Sequence, residues 1–268
     1  MLDITLIDKI RTDNPLIHCI TNIVAANFVA NGLLAIGASP LMSDCAEEMA
    51  DLATLTQGLS VNIGTLCEDK WQALCLACSY YNQHQKPILL DPVGVGATQF
   101  RQQKINYLLE HYHFTAIRGN AAELAYLVGV NWQSKGVDVG EGQQDPILIA
   151  QKVATKYHTT VLLSGATDII TDGTQTITVT GGSPFLPKIT ATGCLQGAVL
   201  TAFLACCNHP LHALTTASAF YKIAAEKAEQ RTLLQAGSNG TFLMAFLDAL
   251  AQPHLDYIKN HVQIKEIK

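Results

Sequence analysis

The chain has 268 residues, 49% hydrophobic and 15% charged, a balance that describes a well-buried globular core and excludes a disordered chain. Its net charge of −5 excludes the broad basic face that nucleic acid demands. The length suits one large α/β domain, and no internal repeat, charged tract or Ser/Pro-rich linker divides residues 1–268.

The opening MLDITLIDKIRTDNP mixes charges with apolar residues at helical spacing. With no unbroken apolar segment behind a basic leader, it predicts no secretion signal. The longest apolar stretch, Ala198 to Cys207, is interrupted by Thr201 and falls far short of the ~20 residues of a membrane span. No membrane partner and a cytoplasmic location are therefore expected. Apolar residues three and four apart predict helices over 22–37, 45–57, 69–84, 101–111, 120–128, 145–157, 192–207, 209–231 and 238–250. Between them lie short β-branched or leucine-rich runs at 39–43, 59–64, 87–93, 114–119 and 160–173, followed by 174–182. Strands alternating with helices predict βαβ units and a mostly parallel central sheet. Thr171-Asp172-Gly173, between alternating runs, predicts an antiparallel hairpin at one edge. Residues 254–268 carry mixed charge and predict a terminal helix without an assigned function. The eight cysteines fit reduced thiols, several of them (Cys75, Cys78, Cys206 and Cys207) in apolar helical company that favours packing as small hydrophobes; their spacing is poor for zinc.

In parallel sheets ligands bind beyond the carboxyl ends of the strands, so the segments following each run carry the chemistry. DPVGVGAT (91–98) sets Asp91 at a strand end before two flexible glycines; it reads equally as a capped turn. RGNAAEL (118–124) puts Arg118 at the next strand end, in a chain with only four arginines, where bidentate anion recognition favours that residue. Asn120 and Glu123 in the same segment form a capping-box pattern. Ser164 ends another strand, as an anion donor or a turn cap.

The last segment, TATGCLQG, leads into a helix whose first free N–H groups share a direction. Thr192 and Gly193 there make an anion site, with Cys194 in the first turn beside it. A nucleophilic thiolate would need a base, for which His18 is a candidate if the fold brings it near. A helix N-terminus lowers a thiol pKa and a neighbouring polyphosphate raises it, so the protonation of Cys194 stays open. Two acids, one arginine and an anion-binding helix start together suit Mg²⁺-dependent phosphoryl transfer.

Five segments then carry a specific likeness: PLIHCITNIVAANFVANGLLAIGASPLM (15–42), VNIGTL (61–66), DPVGVGAT (91–98), IRGNAAE (117–123) and ATGCLQGAVLTAFLA (191–205). In order, and over about residues 11–250, they resemble the hydroxyethylthiazole kinases, the thiamine-salvage branch of the ribokinase-like kinases. The resemblance implies a three-layer α/β/α fold and phosphorylation of the hydroxyl of 4-methyl-5-(2-hydroxyethyl)thiazole by ATP. It implies that Arg118 and Ser164 bind ATP, that Asp91 and Glu123 hold Mg²⁺ through water, and that the 190–194 turn, with Thr192 and Gly193, cradles the moving phosphate. Met42, the Ala191 backbone and Asn22 would meet the thiazole. Cys194 stands where sugar and nucleoside kinases of the superfamily carry a catalytic aspartate, and the backbone amides of 192–195 would receive developing charge. A homotrimer with the thiazole between subunits is implied as well. The chain departs from the family at Ala191, where glycine is usual, at Ser164 for threonine, and at Gln99 for proline.

Three other readings compete. A ribokinase-like kinase for another small alcohol, such as hydroxymethylpyrimidine or a sugar, would carry Asp at 194. A cysteine hydrolase or transferase would use Cys194 covalently, and a non-catalytic binding protein of the same fold would bind ATP without turnover.

Overall fold

The computed structural model describes residues 2–130, 132 and 145–267. Its nine-stranded sheet takes the strands β1 (Leu16–Ile20), β2 (Ser39–Leu41), β3 (Gly58–Asn62), β4 (Ile88–Asp91), β5 (Ala116–Asn120), β6 (Thr160–Ser164), β7 (Thr167–Thr171), β8 (Thr176–Thr180) and β9 (Gln263–Ile267) in the order β2-β1-β3-β4-β5-β6-β7-β8-β9. The first six are parallel and the last three antiparallel.

Helices α1 (Thr5–Asp13), α2 (Ala26–Ile36), α8 (Thr192–Ala205), α9 (Pro210–Leu234) and α10 (Asn239–Leu250) cover one face. The other is covered by α3 (Met49–Leu55), α4 (Glu68–Gln83), α5 (Gln99–His111), α6 (Ala121–Leu127) and α7 (Pro146–Tyr157). Alternation along each strand divides the core accordingly: Leu89 packs toward α8, while Ile88 and Leu90 pack toward α4 and α5. Strands buried on both faces explain the continuous ILL and VLL runs. This is the expected α/β sandwich of three layers, and no helix among the described residues is long and apolar enough to cross a membrane.

The chain departs from the sequence expectations in five places. Residues 16–20, assigned no strand above, form β1 between the edge strand β2 and β3; the buried His18 hides the apolar run. The helix expected from 22 begins at Ala26, because the Asn22 side chain accepts the Ala25 amide at 2.9 Å and closes a turn first. The 160–173 run breaks at Gly165-Ala166 into β6 and β7, which pair antiparallel. The predicted hairpin of β7 and β8 forms, but not at the edge. In residues 254–268 only α11 (Leu255–His261) is helical, and β9 pairs with β8 to become the outer strand.

Candidate active site

Every chemically loaded segment lies at the carboxyl end of a parallel strand: Asn22 after β1, Met42 after β2, Asn62 ending β3, Asp91 ending β4, Arg118 near the end of β5 and Ser164 ending β6. The N-terminus of α8 approaches that same end of the sheet.

Ala191 starts the helix from a left-handed conformation, φ +70°. The first intrahelical bond runs from the Leu195 amide to the Ala191 carbonyl at 2.8 Å. The amides free to face an anion thus narrow from the expected 192–195 to 192–194. The Thr192 hydroxyl is also committed: it donates to the carbonyls of Leu186, at 2.8 Å, and Ile189, at 3.2 Å, and so anchors the loop before the helix. Its carbonyl accepts the Tyr221 hydroxyl at 2.6 Å. A Cβ at Gly193 would stand 2.8 Å from Arg118 Nη1, so any larger residue there would displace the guanidinium.

The Cys194 thiol is only part-buried and meets two amides. Asn22 Nδ2 and Asn62 Nδ2 each donate to Sγ at 3.3 Å. Asn62 joins the set: its Nδ2 donates to Asp91 Oδ2 at 2.8 Å, and its Oδ1 accepts from Asn22 Nδ2 and from the Gly64 amide, both at 3.0 Å. Burial, and then the Asp91 charge, push the thiol up from its ordinary value, against the two amides and Arg118. The net direction favours the protonated thiol over the thiolate. His18 is not in this set. It hydrogen-bonds the Tyr81 hydroxyl at 3.2 Å and the Ser43 carbonyl at 2.9 Å instead.

Asp91 is buried, and burial pushes its carboxyl up to about 7, with Arg118 opposing and Glu123 reinforcing the shift. Arg118 Nη1 stands 3.8 Å from Oδ2, while Oδ1 is buried without a hydrogen-bond partner. Leaving such an atom unpaired costs roughly 1–3 kcal/mol. Glu123 closes the expected capping box with Asn120 and also accepts the Gly94 amide at 2.9 Å, which ties the loop after β4 to α6. No group of three or more His, Cys, Asp or Glu side chains among the described residues is arranged to hold a metal by itself. An orphaned carboxylate oxygen beside one further acid fits Mg²⁺, which keeps several waters and takes phosphate oxygens as its remaining ligands.

Arg118 faces a cavity of about 560 Å³ that Ser164, Thr192, Gly193 and Gln196 also line. Its Nη2 donates to Ser164 Oγ at 2.9 Å and its Nε to Gln196 Oε1 at 3.0 Å. Met42 stands apart from the buried cluster, 37% exposed on the rim beyond β2. The site residues that sequence reasoning missed are Asn62, Gln196 and Tyr221. Asn62 carried a usable signal, a polar amide ending an apolar strand, whereas Gln196 and Tyr221 sit within helical runs and carried none.

Residues 7–255 match the model of the hydroxyethylthiazole kinase family. The chain is 50% identical over 258 residues to the hydroxyethylthiazole kinase of Histophilus somni (strain 129Pt), with 96% of each chain covered. Its fold superposes on the hydroxyethylthiazole kinase protein of Pyrococcus horikoshii OT3 with a TM-score of 0.89, at 33% identity and covering 99% of this chain and 98% of that one. A ribokinase-like superfamily protein of Enterococcus faecalis V583 shares the fold at a TM-score of 0.64 and 13% identity, with 96% and 94% covered. The architecture is ribokinase-like.

Proposed function

This chain belongs to the hydroxyethylthiazole kinase family, and we propose that it transfers the terminal phosphoryl group of ATP to the hydroxyl of 4-methyl-5-(2-hydroxyethyl)thiazole, yielding the thiazole phosphate used to make thiamine. One observation carries the reading at the level of residues. The Cys194 thiol, gripped by Asn22 and Asn62, sits in the first turn of the helix whose start borders the Arg118 cavity. Acceptor and donor can therefore meet across a single residue.

In this reading the cavity takes the nucleotide. Arg118 and Ser164 bind its phosphates, and the amides of 192–194 receive charge as it develops on the moving group. Asp91 and Glu123 would hold Mg²⁺ with the help of water, and the ion would supply neutralisation of charge on the phosphate chain. Asn22, Met42 and the Ala191 backbone orient the thiazole, which is bound mainly by burial of its apolar ring. Cys194 touches the acceptor hydroxyl and relays its proton: as the new P–O bond forms and the bond to ADP breaks, the thiol takes the hydroxyl proton and gives its own to an oxygen of the transferred phosphoryl group. Positioning supplies most of the rate, because a loose transition state asks little covalent work of the protein.

The acceptor side also supports a trimer with the thiazole between subunits. Ile23 is 77% exposed beside Asn22, and Val24 and Met42 are exposed with it, leaving an apolar rim for a second copy to cover. Sedimentation equilibrium is expected to give three chains per particle, and a monomer at working concentration would exclude the shared site. ATP supply and the unpaired cysteines favour a cytoplasmic setting.

The test is ADP release by the purified chain with ATP, Mg²⁺ and one of three acceptors: the thiazole alcohol, hydroxymethylpyrimidine or ribose. Turnover with the thiazole alone, abolished by EDTA, is expected. Preference for either other alcohol, or ATP binding without turnover, would overturn the assignment.

A further inference from the structure

We propose that the buried ammonium of Lys222 acts as a built-in monovalent cation, drawing together the turns that wall the nucleotide cavity and holding Arg118 through Asp168 and Gln196. On this account the chain binds ATP without potassium or sodium. The inference rests on the cavity being the nucleotide site.

Lys222 is 3% exposed and Asp168 1% exposed. A buried charge is costly unless it is paired and hydrogen-bonded, and here it is both. Lys222 Nζ lies 2.9 Å from the Gly165 carbonyl, 3.1 Å from that of Ala166, 3.2 Å from that of Gly181 and 3.2 Å from Asp168 Oδ1. Three carbonyls and one carboxylate around a single positive charge form the oxygen cage that suits a large alkali ion, for which an ammonium is of similar size. The three carbonyls come from two separate turns, one joining β6 to β7 and the other following β8. Gly181 adopts φ +135°, and a Cβ there would stand 2.4 Å from Glu226 Oε1, so only glycine lets its carbonyl reach the lysine.

From the cage a continuous chain of bonds leads to the site. Asp168 Oδ1 also accepts the Gly165 amide at 3.0 Å. Its Oδ2 accepts Ser218 Oγ at 2.8 Å and Gln196 Nε2 at 3.0 Å. Gln196 turns its other end to Arg118 Nε, and Arg118 reaches Ser164. Because Asp168 neutralises Lys222, the ammonium does not itself present free charge to the ligand. Lys222, Asp168 and Gln196 are positioning residues, and the guanidinium they fix is the group that meets phosphate.

The test measures ATP–Mg²⁺ affinity by titration calorimetry in tetramethylammonium buffer, then with added K⁺ or NH₄⁺, and thiazole alcohol affinity in parallel. Wild type is expected to bind ATP equally in all three buffers. Lys222→Ala is expected to lose affinity for ATP by on the order of tenfold to a hundredfold, with thiazole binding unchanged, and to regain part of it with K⁺ or NH₄⁺. Gln196→Met, which leaves the cage intact, should lose ATP affinity without any cation response, and it serves if Lys222→Ala does not fold. A wild-type requirement for K⁺, unchanged ATP affinity in either variant, or no recovery in a folded Lys222→Ala would overturn the proposal. Failure of wild type to bind ATP in any buffer would instead overturn the functional reading beneath it.

Discussion

Two opposing influences meet at the Cys194 thiol. Burial and the Asp91 carboxylate keep the proton on, and the amides of Asn22 and Asn62 favour its loss. A thiol biased toward its protonated form, with the candidate base His18 bonded to Tyr81 and Ser43 instead, is a poor covalent nucleophile and an adequate relay. Replacement by aspartate preserves a group that can take a proton at the same place. Cys194→Asp is therefore expected to keep kcat within about tenfold of wild type, whereas Cys194→Ala should lose roughly a hundredfold, the lower bound for removing acid–base assistance. Loss of all activity in Cys194→Asp, with ATP and thiazole still bound, would favour covalent catalysis instead. Three residues upstream, Ala191 occupies a left-handed conformation that alanine tolerates poorly. Ala191→Gly relieves that strain at the cost of a more flexible unfolded chain. A net gain of about 0.5–1 kcal/mol is expected, or roughly 1–4 °C in Tm for a domain of this size. An unchanged or lower melting temperature would mean that the turn is held without strain.

At the scale of elements, the strand ends were legible and the connections between them were not. Asp91, Arg118 and Ser164 stood out because a polar residue terminating an apolar run is visible in one dimension. Asn62 met the same criterion and went unassigned. Strand β1 was hidden because His18 interrupts its apolar run, and the structure shows why the interruption is tolerated. His18 accepts or donates at both ring nitrogens, bridging Tyr81 of α4 to the Ser43 carbonyl beyond β2, and Tyr81 also bonds Thr56. The last strand was missed for a different reason: whether a short stretch such as 263–267 becomes a strand depends on a free edge, here β8, that only the assembled sheet provides. The His18 bridge has a consequence for pH. Burial lowers its pKa, against the pull of the Ser43 carbonyl and of Glu48 and Asp44. Between that lowered value and the ordinary 6.5 the unfolded chain binds more protons than the folded one, so stability rises with pH there and is lost as pH falls. His18→Gln should flatten that limb, and thermal melts from pH 7.5 down to 5 should show the gap between wild type and variant closing on acidification. A constant gap would remove His18 from the account.

For the whole molecule, the sheet separates two apolar cores, and at its carboxyl end the Asp91 cluster adjoins, through Arg118 and the start of α8, the cavity that Arg118 lines. In the proposed reading the two sides of the site are built by different strands, with the acceptor side on β1, β2 and β3 and the nucleotide side on β5 and β6. Cys194 and Asp91 lie between. Ligands that bind only the folded chain stabilise it by mass action, about 2.7 kcal/mol at a hundred times Kd. At roughly 2–4 °C per kcal/mol, that is about 5–11 °C for either ligand alone. Separately built halves should respond independently, so ATP–Mg²⁺ and the thiazole alcohol together are expected to give close to the sum of the two shifts. A single shared pocket would make the ligands compete and give only the larger shift. Running the same melts on Asn62→Ala then locates the junction: the amide that touches Asn22, Asp91 and Cys194 at once should weaken the response to both ligands, whereas Ser164→Ala should weaken the response to ATP alone.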